Sequence, residues 1–266
     1  MPHHSALIEL MLPRLSPLFA LLVLAILVSL TFKTNLLTST FLFFGTPALY
    51  LTLTLKNKRI IPRLLIAAIL GSSALAVLID YLGFINQSWY VVDTVFPFRL
   101  FNLIPVEDII WGFSWIYLIL VYFESTNRTG NKSLMGKRAK YWLGISGFAI
   151  LVLLLIQNLT PNLLIVPYYY LTAGLILALG PAVVFLKYYP GYIFPFLKTA
   201  LYITPVSFAN EITSLKLGYW HFDGGQFLAV SKVLGVSLPL EELFFFILIG
   251  SIFVLSYYEF FDGDQT

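Results

Sequence analysis

Two pairs of adjacent carboxylic acids are set in runs that are otherwise almost wholly apolar. Glu241 and Glu242 lie in Leu238-Pro239-Leu240-Glu241-Glu242-Leu243-Phe244-Phe245-Phe246, and Glu107 and Asp108 lie in Ile104-Pro105-Val106-Glu107-Asp108-Ile109-Ile110-Trp111. The shared pattern, Pro-x-Glu-acid followed by apolar residues, recurs at a spacing of 134 in a chain of 266. Two more acids, Asp80 and Glu211, each precede a tryptophan by nine residues, Trp89 and Trp220. Carboxyl groups crowded into a dry cavity provide one group to donate a proton and another to accept one. Aromatic faces beside them stabilise a passing carbocation through their quadrupoles, and dryness keeps water from trapping it. Such ingredients suit protonation of an alkene in a very apolar substrate, rearrangement or cyclisation of the cation, and loss of a proton elsewhere. The aromatic candidates are Trp89, Trp220, Trp111, Trp115, Phe244, Phe245 and Phe246.

The same pattern has a plainer reading. Proline is favoured at the first helical position, and acids in the first turn complement the positive end of the helix dipole. Against it stand Asp80 and Glu211, within or at the ends of apolar runs, where an ionisable residue signals function by default. Neighbouring helical residues point about 100° apart, so only one acid of each pair can face the middle of a bundle.

The elements that must position these acids are membrane helices. Hydrophobic residues make up 59% of the chain and charged ones 11%, and the mean hydropathy is +0.88, beyond what a soluble domain tolerates. Cysteine is absent, which excludes disulfides, thiolate metal sites and catalytic thiols. A net charge of +3 gives no reason to expect a nucleic-acid partner. Runs long enough to cross a bilayer are predicted at residues 15–32, 36–55, 62–82, 105–123, 141–157, 163–186, 195–212 and 239–260. The fold class expected is thus an all-α polytopic membrane protein with seven or eight spans. The run from Leu15 is read as a retained first helix, since no basic region precedes it and no small-residue cleavage site follows.

The spans fall into two similar sets. Pro47-Ala48 recurs as Pro181-Ala182, Pro62 as Pro195, Asp80 as Glu211, Trp89 as Trp220 and Glu124 as Glu259, all at close to half the chain length. The expectation is two tandem repeats, 1–127 and 141–266, joined by a basic linker at 128–140. With both termini cytoplasmic, only Lys33, Arg99, Lys216 and Lys232 of the 16 lysines and arginines fall outside, as the positive-inside rule prefers. Four spans per half make the repeats parallel, with their acidic pairs at one depth. The aromatic stretches 89–98 and 219–227 read as interfacial or re-entrant caps, since Trp and Tyr favour that zone. Tyr168 to Tyr170 either line the cavity or pack. His221 reads as interfacial, Lys198 as snorkelling, and Glu124 and Glu259, near cytoplasmic helix ends, as solvated.

No G-x-G-x-x-G, Walker loop, H-E-x-x-H or Asp-rich diphosphate motif is present, so no cofactor and no metal is expected. The duplicated pattern of acid, Trp nine residues on, then Pro-Val/Leu-Glu-Asp/Glu resembles the membrane-embedded lycopene cyclase domain family over nearly the whole chain. Val106-Glu107-Asp108 and Trp111 depart slightly from that family's pattern. The resemblance implies a carotenoid cyclase acting on an acyclic carotenoid such as lycopene, within membrane lipid, beside other carotenoid-biosynthesis enzymes or as a homo-oligomer. It makes Glu107, Asp108, Glu241 and Glu242 the motif acids. Glu241 and Glu107 are the expected proton-handling pair, with Glu242, Asp108, Asp80 and Glu211 tuning or accepting and Trp89 and Trp220 shaping the pocket. A proton-coupled or small-solute transporter is the rival, because parallel repeats with acids at matching depth suit it equally.

Overall fold

The computed structural model describes residues 3–92, 94–127, 138–222 and 224–262. The expected basic linker 128–140 therefore lies almost entirely outside the described residues. The chain is mostly helical, in eight rods among the described residues. These are α1 (His3–Phe32), α2 (Leu36–Thr54), α3 (Lys58–Ile85), α4 (Val106–Asn127), α5 (Ala139–Leu159), α6 (Tyr169–Tyr188), α7 (Ile193–Leu217) and α8 (Glu242–Leu248, then Gly250–Asp262). Five of them, within α2 to α6, are long and apolar enough to cross a membrane. The two parts of α8, bent by 53°, make a sixth if counted as one span. The apolar part of α1, Ser16–Phe32, is shorter, and α7, which carries Lys198, Glu211 and Lys216, is not among them.

Proline punctuation explains the deformation of two of the rods. α2 and α6 each contain a π-turn, Phe41–Gly45 and Gly174–Leu179, ending two residues before Pro47 and Pro181. A proline lacks the N–H that would bond the carbonyl four residues back, and wider turns spread that loss. The carbonyl four residues before Pro181, Leu177 O, finds a side-chain donor in the Tyr257 hydroxyl at 2.9 Å, and the Thr46 hydroxyl beside Pro47 donates to Leu42 O at 2.7 Å. The π-turn of α3, Ala76–Tyr81, contains Asp80. Its carbonyls at Leu78 and Ile79 accept from the Tyr169 hydroxyl at 2.7 and 3.2 Å.

The middle of the bundle is α4, packed against α2, α3, α7 and α8. Every residue from Trp115 to Glu124 is buried, so the rod is covered on all sides and its apolar sequence needs no polar face. Rings join α4 to α7: Tyr122 stacks on Tyr202 at 4.7 Å, and the Trp115 indole donates to the Ser207 hydroxyl at 3.0 Å. The bend in α8 brings Gly250 onto the Trp115 ring, where a Cβ would lie 2.8 Å from the indole; only glycine fits without a shift.

Three short antiparallel ribbons gather at the end of the bundle where α4 and α8 begin. β1 (Tyr90–Val91) pairs with β4 (Trp220–His221), β2 (Arg99–Leu100) with β3 (Ile104–Pro105), and β5 (Val230–Val233) with β6 (Val236–Pro239). In the first, Tyr90 faces His221 and Val91 faces Trp220, so the stretch after α3 meets the stretch after α7 head to tail. Both acidic motifs then have one architecture: a strand ends on proline, Pro105 or Pro239, and a helical turn carrying the two acids begins at once. Proline tolerates a strand end because its missing N–H need not join a ladder.

Candidate functional site

Beneath the β1–β4 ribbon lies a partly open cavity of about 80 Å³. Its walls hold four carboxyl groups, Asp80 from α3, Asp108 from α4, Glu211 from α7 and Glu242 from α8. Both halves of the chain contribute two. Among the remaining walls, Trp89, Val91, Trp220 and Phe222 come from the roof ribbon and its flanks. Trp111, Tyr170 and Phe246 come from the helices below.

Helix geometry selects these residues. Asp108 and Trp111 are three positions apart and Glu242 and Phe246 four apart, so each pair shares a face. Trp111 also donates from its indole N–H to Asn210 Oδ1 at 3.1 Å and stacks on Trp115 at 5.6 Å, which fixes the ring. In the roof, Trp89 and Val91, like Trp220 and Phe222, are two positions apart, the spacing that puts strand residues on one face. Trp89 leans on Tyr170 with centroids 5.0 Å apart, and its ring covers Gly83 so closely that a Cβ there would lie 2.3 Å from it.

The acids differ in their surroundings. Glu211 Oε1 accepts the Trp220 indole N–H at 2.9 Å, so the roof orients this carboxyl directly. Asp80 and Asp108 lie within electrostatic reach of one another, and the Arg99 guanidinium acts on Asp108. Arg99 is itself fixed by donating to Leu103 O at 3.0 Å and Val91 O at 3.1 Å. Two like charges at short range repel, and one nearby cation offsets only one of them. Among the described residues no group of three His, Asp or Glu is arranged to hold a metal ion.

Six acids are expected at the site from sequence, and the structure brings four together. Glu107 and Glu241, expected as the proton-handling pair, point elsewhere. Glu107 Oε1 accepts the backbone N–H groups of Val95 and Phe96 at 2.5 and 2.8 Å, and Glu241 Oε1 accepts that of Leu228 at 2.6 Å. The reason is the 100° step between neighbours: with Asp108 and Glu242 turned inward, the preceding acids face the loops that overhang the start of their helices. Of the expected aromatic walls, Trp89, Trp111, Trp220 and Phe246 are present and Trp115, Phe244 and Phe245 are not. Phe245 is buried against Gly174, where a Cβ would lie 2.1 Å from the ring, and Phe244 is 40% exposed. The π-turn Glu242–Leu248 changes the angular step, so Phe246 takes the cavity position. Sequence reasoning missed Ile79, Val91 and Phe222 as walls; for the last two, the period of two in the caps carried the signal.

The opposite end of the bundle departs from expectation more sharply. Glu124 and Glu259, expected to be solvated, are 5% and 1% exposed. The Tyr258 hydroxyl donates to Glu124 Oε1 at 3.0 Å, and the Arg63 guanidinium lies 5.7 Å from the centroid of the same ring. Glu259 acts electrostatically on Tyr258 as well. The four residues form a buried charged cluster joining α3, α4 and α8. Lys198 is not simply extended into solvent either: its ammonium donates to Thr126 O at 3.0 Å.

No protein-family model, no curated protein and no solved structure matches the chain. The site must therefore be read from its own chemistry.

Proposed function

We propose that the protein is a polytopic membrane carotenoid cyclase, built from two parallel four-helix repeats of the membrane-embedded lycopene cyclase type, with both termini cytoplasmic. The observation that carries this reading is the convergence of Asp80, Asp108, Glu211 and Glu242, two from each half, on one cavity walled by indole and phenyl rings. The matched π-turns before Pro47 and Pro181 and the meeting of the two caps at Tyr90 and His221 support the repeat.

In this mechanism an acid of the Asp80–Asp108 pair gives its proton to the terminal double bond of an acyclic carotenoid such as lycopene. The pair repels itself when both members are ionised, which holds a proton available between them. The tertiary cation that forms is attacked by the neighbouring double bond, closing a six-membered ring and moving the charge onto a ring carbon. Trp89, Trp111, Trp220 and Phe246 present their faces to that charge. Glu211, oriented by the Trp220 N–H, takes a ring proton and restores a double bond; Glu242 supports the charge beside it. One proton enters and one leaves, so no redox partner is consumed. The cavity is partly open, so one end group reaches the acids from its open side while the rest of the chain extends into surrounding lipid.

A proton-coupled transporter is the second reading, and one observation favours it: the buried cluster Arg63, Glu124, Tyr258 and Glu259 places ionisable groups at the far end of the same central helices. The deciding experiment expresses the protein in bacteria that accumulate lycopene and resolves the pigments by chromatography, with and without a protonophore. The cyclase yields cyclic carotenoid whether or not the proton gradient stands. Unaltered lycopene from well-folded protein would overturn the proposal.

A further inference from the structure

We infer that Glu107 and Glu241 are positioning residues, twin latches that hold the roof loops over the cavity, and not members of the acid set inside it. The two make one arrangement twice. Each is buried, at 1% and 2% exposure, and each stands one residue before a cavity acid. Each also uses Oε1 to accept backbone N–H groups from a segment 11 to 13 residues earlier in the chain. In both, Oε2 is buried without a hydrogen-bond partner among the described residues.

The latched segments are the ones that need holding. Val95 and Phe96 are 48% and 39% exposed and Leu228 is 59% exposed, so little apolar packing fixes them. An N–H donating to a carboxylate is about twice as strong as a neutral hydrogen bond, which suits a tie that must replace packing. Each segment continues directly from a roof stretch, Trp89 to Val91 or Trp220 to Phe222, whose side chains wall the cavity. Freeing the loop therefore loosens the wall, and the effect on a reaction in the cavity is indirect.

The unpartnered Oε2 makes the idea separable from proton transfer. Glutamine keeps a carbonyl oxygen where Oε1 accepts, and its amide replaces an oxygen that receives no described donor. Glu107→Gln and Glu241→Gln therefore retain the latch while removing any capacity to shuttle a proton, whereas Glu107→Ala and Glu241→Ala remove both. The inference rests on the cyclase reading for its kinetic arm alone; backbone exchange tests it without any activity.

The experiment measures hydrogen–deuterium exchange at Val95, Phe96 and Leu228 together with ring closure for all four variants of the full chain. In the alanine variants exchange at the matching amides should rise about 10- to 100-fold, the range expected when a hydrogen bond to a charged group is lost, and kcat should fall, while the glutamine variants, which keep a neutral bond of about half the strength, should exchange only about 3- to 10-fold faster and keep kcat within about 10-fold of the parent. Glutamine variants that keep their amides protected yet lose cyclisation as completely as Asp108→Asn would return these acids to the proton-handling set. Unchanged exchange in the alanine variants would remove the latch. Should the parent form no cyclic product, the cyclase reading fails by itself, and the exchange result alone decides the latch.

Discussion

The two halves of the chain agree in their frame and differ in their chemistry. Both have a π-turn before a proline in the second rod, a strand ending on proline, a latching glutamate and an acid turned into the cavity. Yet the first half contributes two aspartates in electrostatic reach of each other, one of them also acted on by Arg99, while the second contributes two glutamates, one hydrogen-bonded to an indole. The outer helices differ too. α1 tucks Leu18, Ala25 and Ser29 into the body, whereas Leu153 is the one buried residue of α5 among those described. A shared scaffold with unlike walls is what a reaction needs when one side must give a proton and the other must take it.

The strongest way to break this comparison is to neutralise one acid in each half. Asp108→Asn and Glu211→Gln should each lower ring closure by about 100-fold or more, within the usual worth of a positioned acid or base; pigment chromatography normalised to folded protein measures it. A loss confined to one half would assign the chemistry to that half alone. Next, Trp220→Phe keeps a ring in the roof and deletes the donor to Glu211, so turnover should drop about 10-fold, in line with a hydrogen bond to a charged group. An unchanged rate would release Glu211 from its role as acceptor.

A finer test uses two glycines that lie under rings. Gly83→Ala pushes on Trp89, a cavity wall, and Gly174→Ala pushes on Phe245, which is not one. Both should lose about 1–3 kcal/mol of stability through overpacking, read by thermal unfolding in detergent. The first alone should also lower activity per folded molecule. Smallest in its effect on ring closure is the far cluster. Glu259→Gln disturbs a buried ionic group, where removing one partner costs about 3–5 kcal/mol, and should lower the unfolding temperature while leaving the rate per folded protein unchanged. A rate that fell with it, together with a new dependence on the proton gradient, would favour transport.

The rods were readable because apolar length and proline punctuation act locally: each of the eight expected runs overlaps a helix. Asp80, Asp108, Glu211 and Glu242 were readable as acids out of place, but which of each adjacent pair faced inward was not. That choice depends on where the helix axis starts relative to its neighbours, and a sequence of two consecutive acids is compatible with either. Phe245 and Phe246 were likewise indistinguishable, because a π-turn shifts the face by an amount no spacing rule contains. Glu124 and Glu259 were read as solvated because they stand near helix ends; their burial with Arg63 comes from the way α3, α4 and α8 converge, a tertiary fact.

The most direct measurement is the mass of the product formed by the purified protein from lycopene in deuterated water. If a carboxylic acid delivers the proton and another group removes one from carbon, each ring closed carries a single solvent deuteron and the product mass rises by about 1 Da per ring over repeated turnovers. Cyclic product with no deuterium would contradict the account, since the cavity acids exchange with water and could not have supplied the hydrogen.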